Sequence, residues 1–430
     1  MAVKILTSAD IHIGRASSSS TDGKNLTTRG AWRRMVDWAI REHVDAVVLA
    51  GDIVDQANKY FEAVSALEDG LTKLDEAGII VVMVSGNHDF DVLPSILKNH
   101  SFKNVYLLGE NGSWDFETIE LNGVSIQFTG WSFPSLHYKS DPLINFPKEK
   151  VDGNAVTVGL IHGDFTDAES SYAPLKINSM SGKGVNVWVM GHIHKPEQFN
   201  STNPLIYYPG SPQALSAKEK GEHGATLLTI ENDKRINTRH IPLSTIRYEE
   251  IEIDITGCTE EDEIKAKLIG ESDSYLKKEI TRHEYLEHLS FDILLTGSQK
   301  DLPKLERWME SWDINEFLRN KEGLQISIRK VRHQCTASVT NLESLKDEPS
   351  PAGLLAQAII DLEAGENSTF IDSLRKEALS SMRSLNSHST YLPLRDTEKI
   401  EQIDEDDINQ LLLQECNRLL SQLIQTKAEG

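Results

Sequence analysis

"GIIVVMVSGNHDF", residues 78–90, begins as an apolar run and ends in polar chemistry. Ile79 to Val84 are rich in β-branched side chains, the pattern of a strand buried on both faces. Gly86, Asn87, His88 and Asp89 follow at once. A turn accounts for the glycine, the asparagine and the aspartate. It gives no reason for the imidazole.

Two runs upstream share this shape. "VKILTSADIHIG" (3–14) ends in Asp10 and His12, and "VDAVVLAGDIVD" (44–55) ends in Asp52 and Asp55. Helical patterns separate the three. In "TTRGAWRRMVDWAIREH" (27–43), Trp32, Met35, Val36, Ala39 and Ile40 recur at helical spacing, and "ANKYFEAVSALEDGLTKLDEAG" (57–78) reads as a second helix. This β-α-β-α-β order predicts parallel strands joined by crossover helices.

Downstream of Ser101 the pattern turns strand-rich. It runs through "TIELNGVSIQFTGW" (118–131), "AVTVGLIHGD" (155–164), "VNVWVMGHIH" (185–194), "PLIYYPGS" (204–211) and "GATLLTIEN" (224–232). Asn122-Gly123 between alternating runs predicts a tight hairpin turn. Two of these runs again end in ligand chemistry, with His162 in one and His192 and His194 in the other.

Sites in open α/β sheets form beyond the carboxyl ends of strands. In an extended Asp-x-His or His-x-His, residues i and i+2 point the same way. Each pair is therefore expected to face one cavity. The donors are nitrogen and oxygen without thiolate, which suits Mn²⁺, Fe²⁺ or Zn²⁺, and the set is too histidine-rich for Ca²⁺ or Mg²⁺ alone. Asp10, His12, Asp52, Asn87, His162, His192 and His194 are too many for one ion. They suit two ions sharing a carboxylate, roughly 3.5–4 Å apart, which can clamp a phosphoryl group and activate water.

The chain has 430 residues, enough for two or three domains, and a net charge of −22. A free-standing nucleic-acid binder is usually basic. The charge is uneven, however. Residues 1–50 hold seven Lys/Arg against five Asp/Glu, and the last ninety hold eight against seventeen. The acidic tail is therefore expected to face a partner rather than a polyanion. The three cysteines, Cys258, Cys335 and Cys416, are far apart and read as free thiols in a reducing compartment. The first residues lack the apolar length of a secretory signal, and no run approaches the roughly 20 apolar residues of a membrane span. A cytoplasmic location is expected.

Three regions are expected. Residues 1–245 carry the chemistry. Residues 246–335 form a small α+β unit whose strands are "YEEIEIDIT", "LSFDILLTG" and "LQISIRKVRHQ". Residues 336–430 hold a polar, proline-containing linker and helices around 352–364, 369–383 and 404–425. The last helix places Ile408, Leu411, Leu412, Leu419, Leu420, Leu423 and Ile424 on one stripe.

The ordered set Asp-x-His, Gly-Asp-x-x-Asp, Gly-Asn-His-Asp, His and Gly-His-x-His, from Asp10 to His194, resembles the calcineurin-like metallophosphoesterases. The resemblance implies an α/β core of two packed β-sheets flanked by helices. It implies one metal on Asp10, His12, Asp52 and His194, and a second on Asp52, Asn87, His162 and His192, with Asp52 bridging. His88 falls where the family keeps a histidine that is not a ligand but stabilises charge or protonates the leaving oxygen. Asp55 matches the carboxylate that orients it.

The phosphoprotein phosphatases of this superfamily carry Arg after the second Asp and Glu after Asn-His. Here those places hold Gln56 and Asp89. The arginine grips a monoester dianion, so its absence favours a diester. The segment "NPLIYYPGSPQALSAKEKGEHGATLLTI" resembles the DNA-repair exonucleases of the SbcD type, including the YhaO-like branch, through Tyr208, Gly210, Ser211, Glu219 and Gly224. That likeness implies a capping domain at 246–335 and a helical tail that docks on an SMC-like ATPase of the SbcC type. It also implies a Mn²⁺-dependent DNA nuclease acting as a homodimer.

Two basic stretches are expected to hold DNA phosphates. One is the loop 14–34, with Arg15, Lys24, Arg29, Arg33 and Arg34. The other is the strand with Arg329, Lys330, Arg332 and His333. DNA is expected between them. Competing readings are a phosphoesterase for small diesters, nucleotides or lipid-linked phosphates, and a silent scaffold for DNA ends. The basic loop also reads as a solvated segment, and the basic strand as an edge guarded by charge.

Overall fold

The computed structural model describes residues 2–15, 27–55, 61–165, 167, 169–200, 204–281, 284–337, 342–365, 368–387 and 405–428. Lys24, the serine run 17–20 and Gln56 lie outside them.

The expected alternation opens the chain. β1 (Val3–Ser8), α1 (Thr28–Arg41), β2 (Ala46–Ala50), α2 (Phe61–Glu76), β3 (Ile80–Val84), α3 (Leu93–Asn99) and β4 (Val105–Leu107) follow in order. β1 to β4 are parallel, in registers such as Ile5 opposite Ala46 and Ala46 opposite Ile80. Then come β5 (Asp115–Leu121), β6 (Val124–Trp131), β7 (Val156–His162), a short α4 (Ile177–Met180), β8 (Val187–Gly191), β9 (Glu197–Asn200), β10 (Leu205–Tyr208), β11 (Gly224–Ile230) and β12 (Ile236–Pro242). The first sheet has the order β12-β11-β1-β2-β3-β4, and the second β5-β6-β7-β8-β10-β9. The β5–β6 hairpin turns at Asn122 and Gly123, with φ of 52° and 79°. Both angles lie in the region that a two-residue hairpin turn requires.

The period of two explains how the sheets pack. Val3, Ile5, Ala46, Val48, Val82 and Val84 of the first sheet share a core with Ile126, Phe128, Val158, Leu160, Val187 and Val189 of the second. The alternate residues Leu6, Val47, Leu49, Val81 and Met83 pack on Trp32, Met35 and Val36 of α1 and on Leu67, Leu71 and Leu74 of α2. Trp114, Trp131, Phe133, Trp188 and Tyr208 fill a third layer outside the second sheet. Each fully buried Val, Leu or Phe contributes about 1.5–3 kcal/mol by leaving water. The loops at the strand ends therefore stand on a rigid base.

The rest of the chain comprises β13 (Ile246–Asp254), α5 (Glu261–Glu279), β14 (His288–Thr296), β15 (Ser298–Gln299), α6 (Leu302–Ser311), β16 (Arg319–Lys321), β17 (Leu324–His333) and β18 (Thr336–Ala337). The helices α7 (Leu342–Leu345), α8 (Pro351–Ala364), α9 (Thr369–Ser387) and α10 (Glu405–Ala428) follow. The third sheet has the order β13-β14-β17-β16. Two compact units emerge. One is 1–250 with 281–291 and 318–327, and the other is 251–280, 292–317 and 328–430.

In the tail, Ala356, Ile359 and Leu362 of α8 pack with Ile371 of α9 and with Cys416 and Leu420 of α10. α8 begins at Ser350, whose hydroxyl accepts the Gly353 N–H, and stops at Gly365 with φ 67°. The leucine stripe of α10 divides. Ile408 and Leu420 are buried, whereas Leu411, Leu419 and Leu423 are 38–41 % exposed. All three cysteines are free. No helix among the described residues is long and apolar enough to cross a membrane.

Candidate metal centre

Five strand ends meet at one place. β1 runs into Asp10 and His12, β2 into Asp52 and Asp55, and β3 into Asn87 and His88. β7 ends on His162, and β8 leads to His192 and His194. The expected extended pairs are not extended. Asp10, His12 and Asp52 have φ near 50°, and His192 has φ 106°. Each such residue costs on the order of 1–3 kcal/mol, and such costs cluster at functional sites. The reason is visible in the backbone. Asp10 N–H donates to Gly51 O, His12 N–H to Asp52 O, and Ile13 N–H to Ile53 O, at 3.0, 3.0 and 2.8 Å. The first two loops are zipped side by side. Curling the chain, rather than alternating it, turns Asp10 and His12 into one cavity. The packing is tight enough to demand glycine. A Cβ on Gly86 would collide with Asp52 Oδ1, and one on Gly191 with Ala50 O.

Asp52 sits at the centre. Its Oδ2 is 3.4 Å from His162 Nε2, 3.8 Å from His12 Nε2 and 3.9 Å from His88 Nε2. Its Oδ1 accepts the His88 N–H at 2.9 Å. Asp10, His12 and His194 bring donor atoms within 4.8 Å of one another, and so do Asp10, Asp52 and His162. His12 Nε2 lies 3.3 Å from His194 Nε2. A third such group is His12, Asp55 and His88. Asp55 Oδ1 is 3.3 Å from His12 Nδ1 and 3.4 Å from His88 Nδ1, so it serves two rings, not one.

Partners on the far nitrogens indicate which nitrogen each ring offers. His162 Nδ1 lies 3.0 Å from Ala50 O, leaving Nε2 toward Asp52. His194 Nδ1 lies 3.1 Å from Glu219 Oε1, leaving Nε2 toward Asp10 and His12. His192 joins none of the three groups of the described residues. Its Nε2 faces Asp164 Oδ2 at 3.7 Å, and its backbone N–H donates to both Asp10 oxygens at 3.0 and 3.1 Å. Asn87 Oδ1 and His162 Nε2 are buried and find no hydrogen-bond partner among the described residues. A buried acceptor left bare costs about 1–3 kcal/mol. Oxygen and imidazole donors left open around a shared carboxylate fit a divalent cation, which would satisfy them.

The charges are mutually adjusted. Burial disfavours the Asp52 carboxylate, but His162, His12 and His88 outweigh it and hold the group well below the usual range. Burial likewise pulls His162 down, yet Asp52 and Asp10 carry it up to about 9. His88 and His194 are raised against their burial, by Asp55 and Asp52 for the first and by Glu219 and Asp10 for the second. His192 is lowered, by burial and then by His162. Asp89 is fully buried and accepts three backbone N–H groups, from Gly86 at 2.8 Å, Ile53 at 2.6 Å and Val54 at 3.2 Å. Burial and the Asp52 charge push it up to about 7 against those donors.

Asp89 thus ties the β2 loop to the β3 loop, a task that its place in the motif did not disclose. Asp164 lies outside the motif set, although its Gly-Asp pair after His162 repeats the form of Gly51-Asp52. Glu219 carried only a family-like position. Nothing local to it signals a contact with His194.

The basic residues divide as well. Arg15, Arg29, Arg33 and Arg34 line a cleft of about 760 Å³ that begins at Ile13 and Gly14 and is closed by Glu284, Tyr285 and Glu287. Arg34 is engaged inward. Its Nε donates to Leu243 O and its Nη2 to Gln213 Oε1, both at 2.8 Å, and burial brings it down to about 10. Arg33 is exposed. In β17, Arg329, Lys330 and Arg332 are all exposed, and Arg329 pairs with Asp292.

Residues 3–233 match the model of the calcineurin-like phosphoesterase superfamily domain. The chain is 27 % identical over 237 residues to the uncharacterized metallophosphoesterase YhaO of Bacillus subtilis, covering 54 % of this chain and 56 % of that protein. It thus spans little more than half of that relative. It is 26 % identical over 279 residues to the SbcD component of the SbcCD nuclease of Staphylococcus epidermidis, covering 58 % of this chain and 72 % of the relative. Among solved structures, a dimetal phosphatase from Danio rerio aligns at 15 % identity and a TM-score of 0.36, over 56 % of this chain and 99 % of that one. A purple acid phosphatase from yellow lupin aligns at 13 % and 0.39, over 56 % and 52 %. Likenesses this loose carry no functional weight.

Proposed function

Because this chain belongs to the calcineurin-like phosphoesterase superfamily, we propose that it is a Mn²⁺-dependent DNA phosphodiesterase of the SbcD and YhaO type. The observation that carries the reading is the gathering of Asp10, His12, His194, Asp52 and His162 into two groups that share Asp10 and surround Asp52. Two divalent cations bound there would supply Lewis acidity to the phosphoryl oxygens and lower the pKa of water.

In this reading Asp10, His12, Asp52 and His194 hold the first cation, and Asp52, Asn87, His162 and His192 the second. The donor set lacks thiolate and favours Mn²⁺ over softer-site ions. His88 stands beside the cluster with Nδ1 toward Asp55 and Nε2 on the side of Asp52, 3.9 Å from its Oδ2, so Nε2 is the nitrogen directed at the candidate site. It stabilises charge on the phosphoryl group or donates a proton to the departing 3′ oxygen. Arg15 and Arg33 position the backbone through phosphate contacts, and the exposed Lys330 and Arg332 of β17 are a separate set of candidate phosphate contacts. Arg34 has its hydrogen bonds turned inward and contributes less. Residues 246–335 act as the cap. Residues 336–430 act as the docking tail for an SMC-like ATPase, with the chain as a homodimer.

One observation favours a second reading. The net charge of −22 removes much of the counterion-release term that drives unaided DNA binding. A phosphodiesterase of small diesters or nucleotides does not need that term. The test sets Mn²⁺-dependent digestion of labelled single- and double-stranded DNA beside hydrolysis of a chromogenic diester, each with a chelator control. Digestion of DNA supports the nuclease. Turnover of the small diester alone sinks it.

A further inference from the structure

We propose that Glu219 is a positioning residue that fixes His194 with Nε2 toward the metal centre, and so sets the affinity of the Asp10–His12–His194 site selectively. The inference rests on the two-metal reading above.

The carboxylate bridges two elements. Its Oε1 lies 3.1 Å from His194 Nδ1, and its Oε2 accepts the Leu215 N–H at 2.7 Å. Both side chains are largely buried, at 17 % exposure for Glu219 and 22 % for His194. The arm that carries Glu219 is itself anchored. Ala214 and Leu215 are buried, and Glu219 N–H donates to Ser216 O at 3.0 Å. The same connection, between β10 and β11, grips the backbone of the histidine, because Ser211 N–H donates to His194 O at 2.9 Å. His194 is therefore held at its ring and at its carbonyl by one segment.

The tautomer follows. A carboxylate accepts only, so Nδ1 must carry the proton and Nε2 keeps its lone pair. That Nε2 is the nitrogen directed at Asp10 and His12. His12 and His88 share Asp55, and His162 uses the backbone carbonyl of Ala50 at the end of β2. Glu219 instead reaches the site from a connection outside the five strand-end loops. Carboxylates behind ligating histidines are typically worth 10–100-fold in metal affinity.

Glu219→Gln is the discriminating variant. It can keep an oxygen on the Leu215 N–H while turning an NH₂ donor toward Nδ1. That reversal selects the wrong tautomer at Nε2. Calorimetric titration of the metal-free full chain with Mn²⁺ is expected to show two events in the wild type. In Glu219→Gln one event should weaken about 10–100-fold while the other stays, with little change in the melting temperature of the metal-free protein. Combined with His194→Ala, Glu219→Gln should add nothing to the loss at that site. Glu219→Asp, one methylene shorter, cannot hold both partners and should show a smaller one-site loss. It also serves if the Gln variant does not fold.

Equal weakening of both events overturns the proposal, and so does unchanged affinity or an additive double variant. A wild type that binds no Mn²⁺ overturns the two-metal reading itself. That outcome is distinct from a wild type with two events and an indifferent Glu219→Gln.

Discussion

Asp45 and Asp89 are each a single carboxylate that ties separate pieces of chain together, at opposite ends of the parallel strands β1 to β4. Asp45, before β2, accepts the Lys4 N–H at 2.8 Å and the Asn122 side-chain amide at 2.9 Å, and it is half-buried. Asp89, after β3, accepts three backbone N–H groups and is fully buried. The backbone repeats the contrast. His43 and Asn122 near the first end have φ of 52°, almost the value at Asp10, His12 and Asp52 near the second. At the first end these angles follow the end of α1, at an exposed His43, and turn a hairpin. At the second they bend buried carboxylates and imidazoles toward one another. A positive φ marks a turn where water can solvate it. It marks a candidate site where charge is buried with it.

The sharpest way to break this contrast is to remove the central charge. Asp52→Asn withdraws the carboxylate that lies 3.4 to 3.9 Å from three imidazoles. Diester turnover with Mn²⁺ should fall at least about 10³-fold, the scale of losing a principal electrostatic element. Steady-state kinetics at saturating Mn²⁺ would check this, and retention of a tenth of the rate would refute the central role.

Asp89→Asn comes next, and it reads stability. One amide oxygen can still accept from Ile53 and Val54, but the NH₂ then faces the Gly86 N–H without an acceptor. The loss should be about 2–3 kcal/mol, since a buried donor is stranded. A urea midpoint shift at constant m-value would measure it. A change within 0.5 kcal/mol, the usual scale of a surface substitution (about ±0.5), would mean that the two loops do not depend on this tie.

The two ends were not equally legible. Apolar runs rich in β-branched residues announced β1, β2, β3, β7 and β8, because a strand covered on both faces has little room for polar residues. The cluster was legible because each motif abuts one of those runs, and parallel strands bring their carboxyl ends together. The conformation of Asp10 and His12 was not, since an Asp-x-His reads as extended until the neighbouring loop is seen pairing with it. Contacts across long stretches of sequence were hidden as well. Arg34 looked like a surface cation in a basic loop, yet its partners lie at Gln213 and Leu243. Asp89 looked like a marker of family branch, and its three acceptor bonds depend on the β2 loop folding beside it. The leucine stripe of α10 gave the period correctly, but period alone does not say that Leu420 is covered while Leu411 and Leu419 are open.

His88 and Asn87 sharpen the comparison within the reactive end. The neighbours should fail differently. His88→Gln should leave Mn²⁺ binding intact and reduce kcat by roughly 10²-fold, the lower range for proton transfer by a positioned group. Asn87→Ala should instead raise the Mn²⁺ concentration needed for half-maximal rate, because the buried amide oxygen is removed. Metal titrations of rate for the two variants would separate them. Loss of metal in His88→Gln would move that residue into the ligand set.

The smallest effect belongs to the other end. Asp45→Asn keeps an oxygen for either Lys4 N–H or the Asn122 amide, and water reaches the group left over. Its cost should be about 1 kcal/mol or less, the net worth of an ordinary hydrogen bond. Diester turnover and Mn²⁺ affinity should stay at wild-type values, since the strands between it and the cluster are packed on both faces. The informative quantity is the ratio to Asp89→Asn, measured in the same urea series. A ratio of two or more says that burial, and not the number of loops tied, decides what a carboxylate clamp is worth. A ratio near one would say that both ends are held alike, and that the strain beside Asp89 is carried by the packed sheets alone.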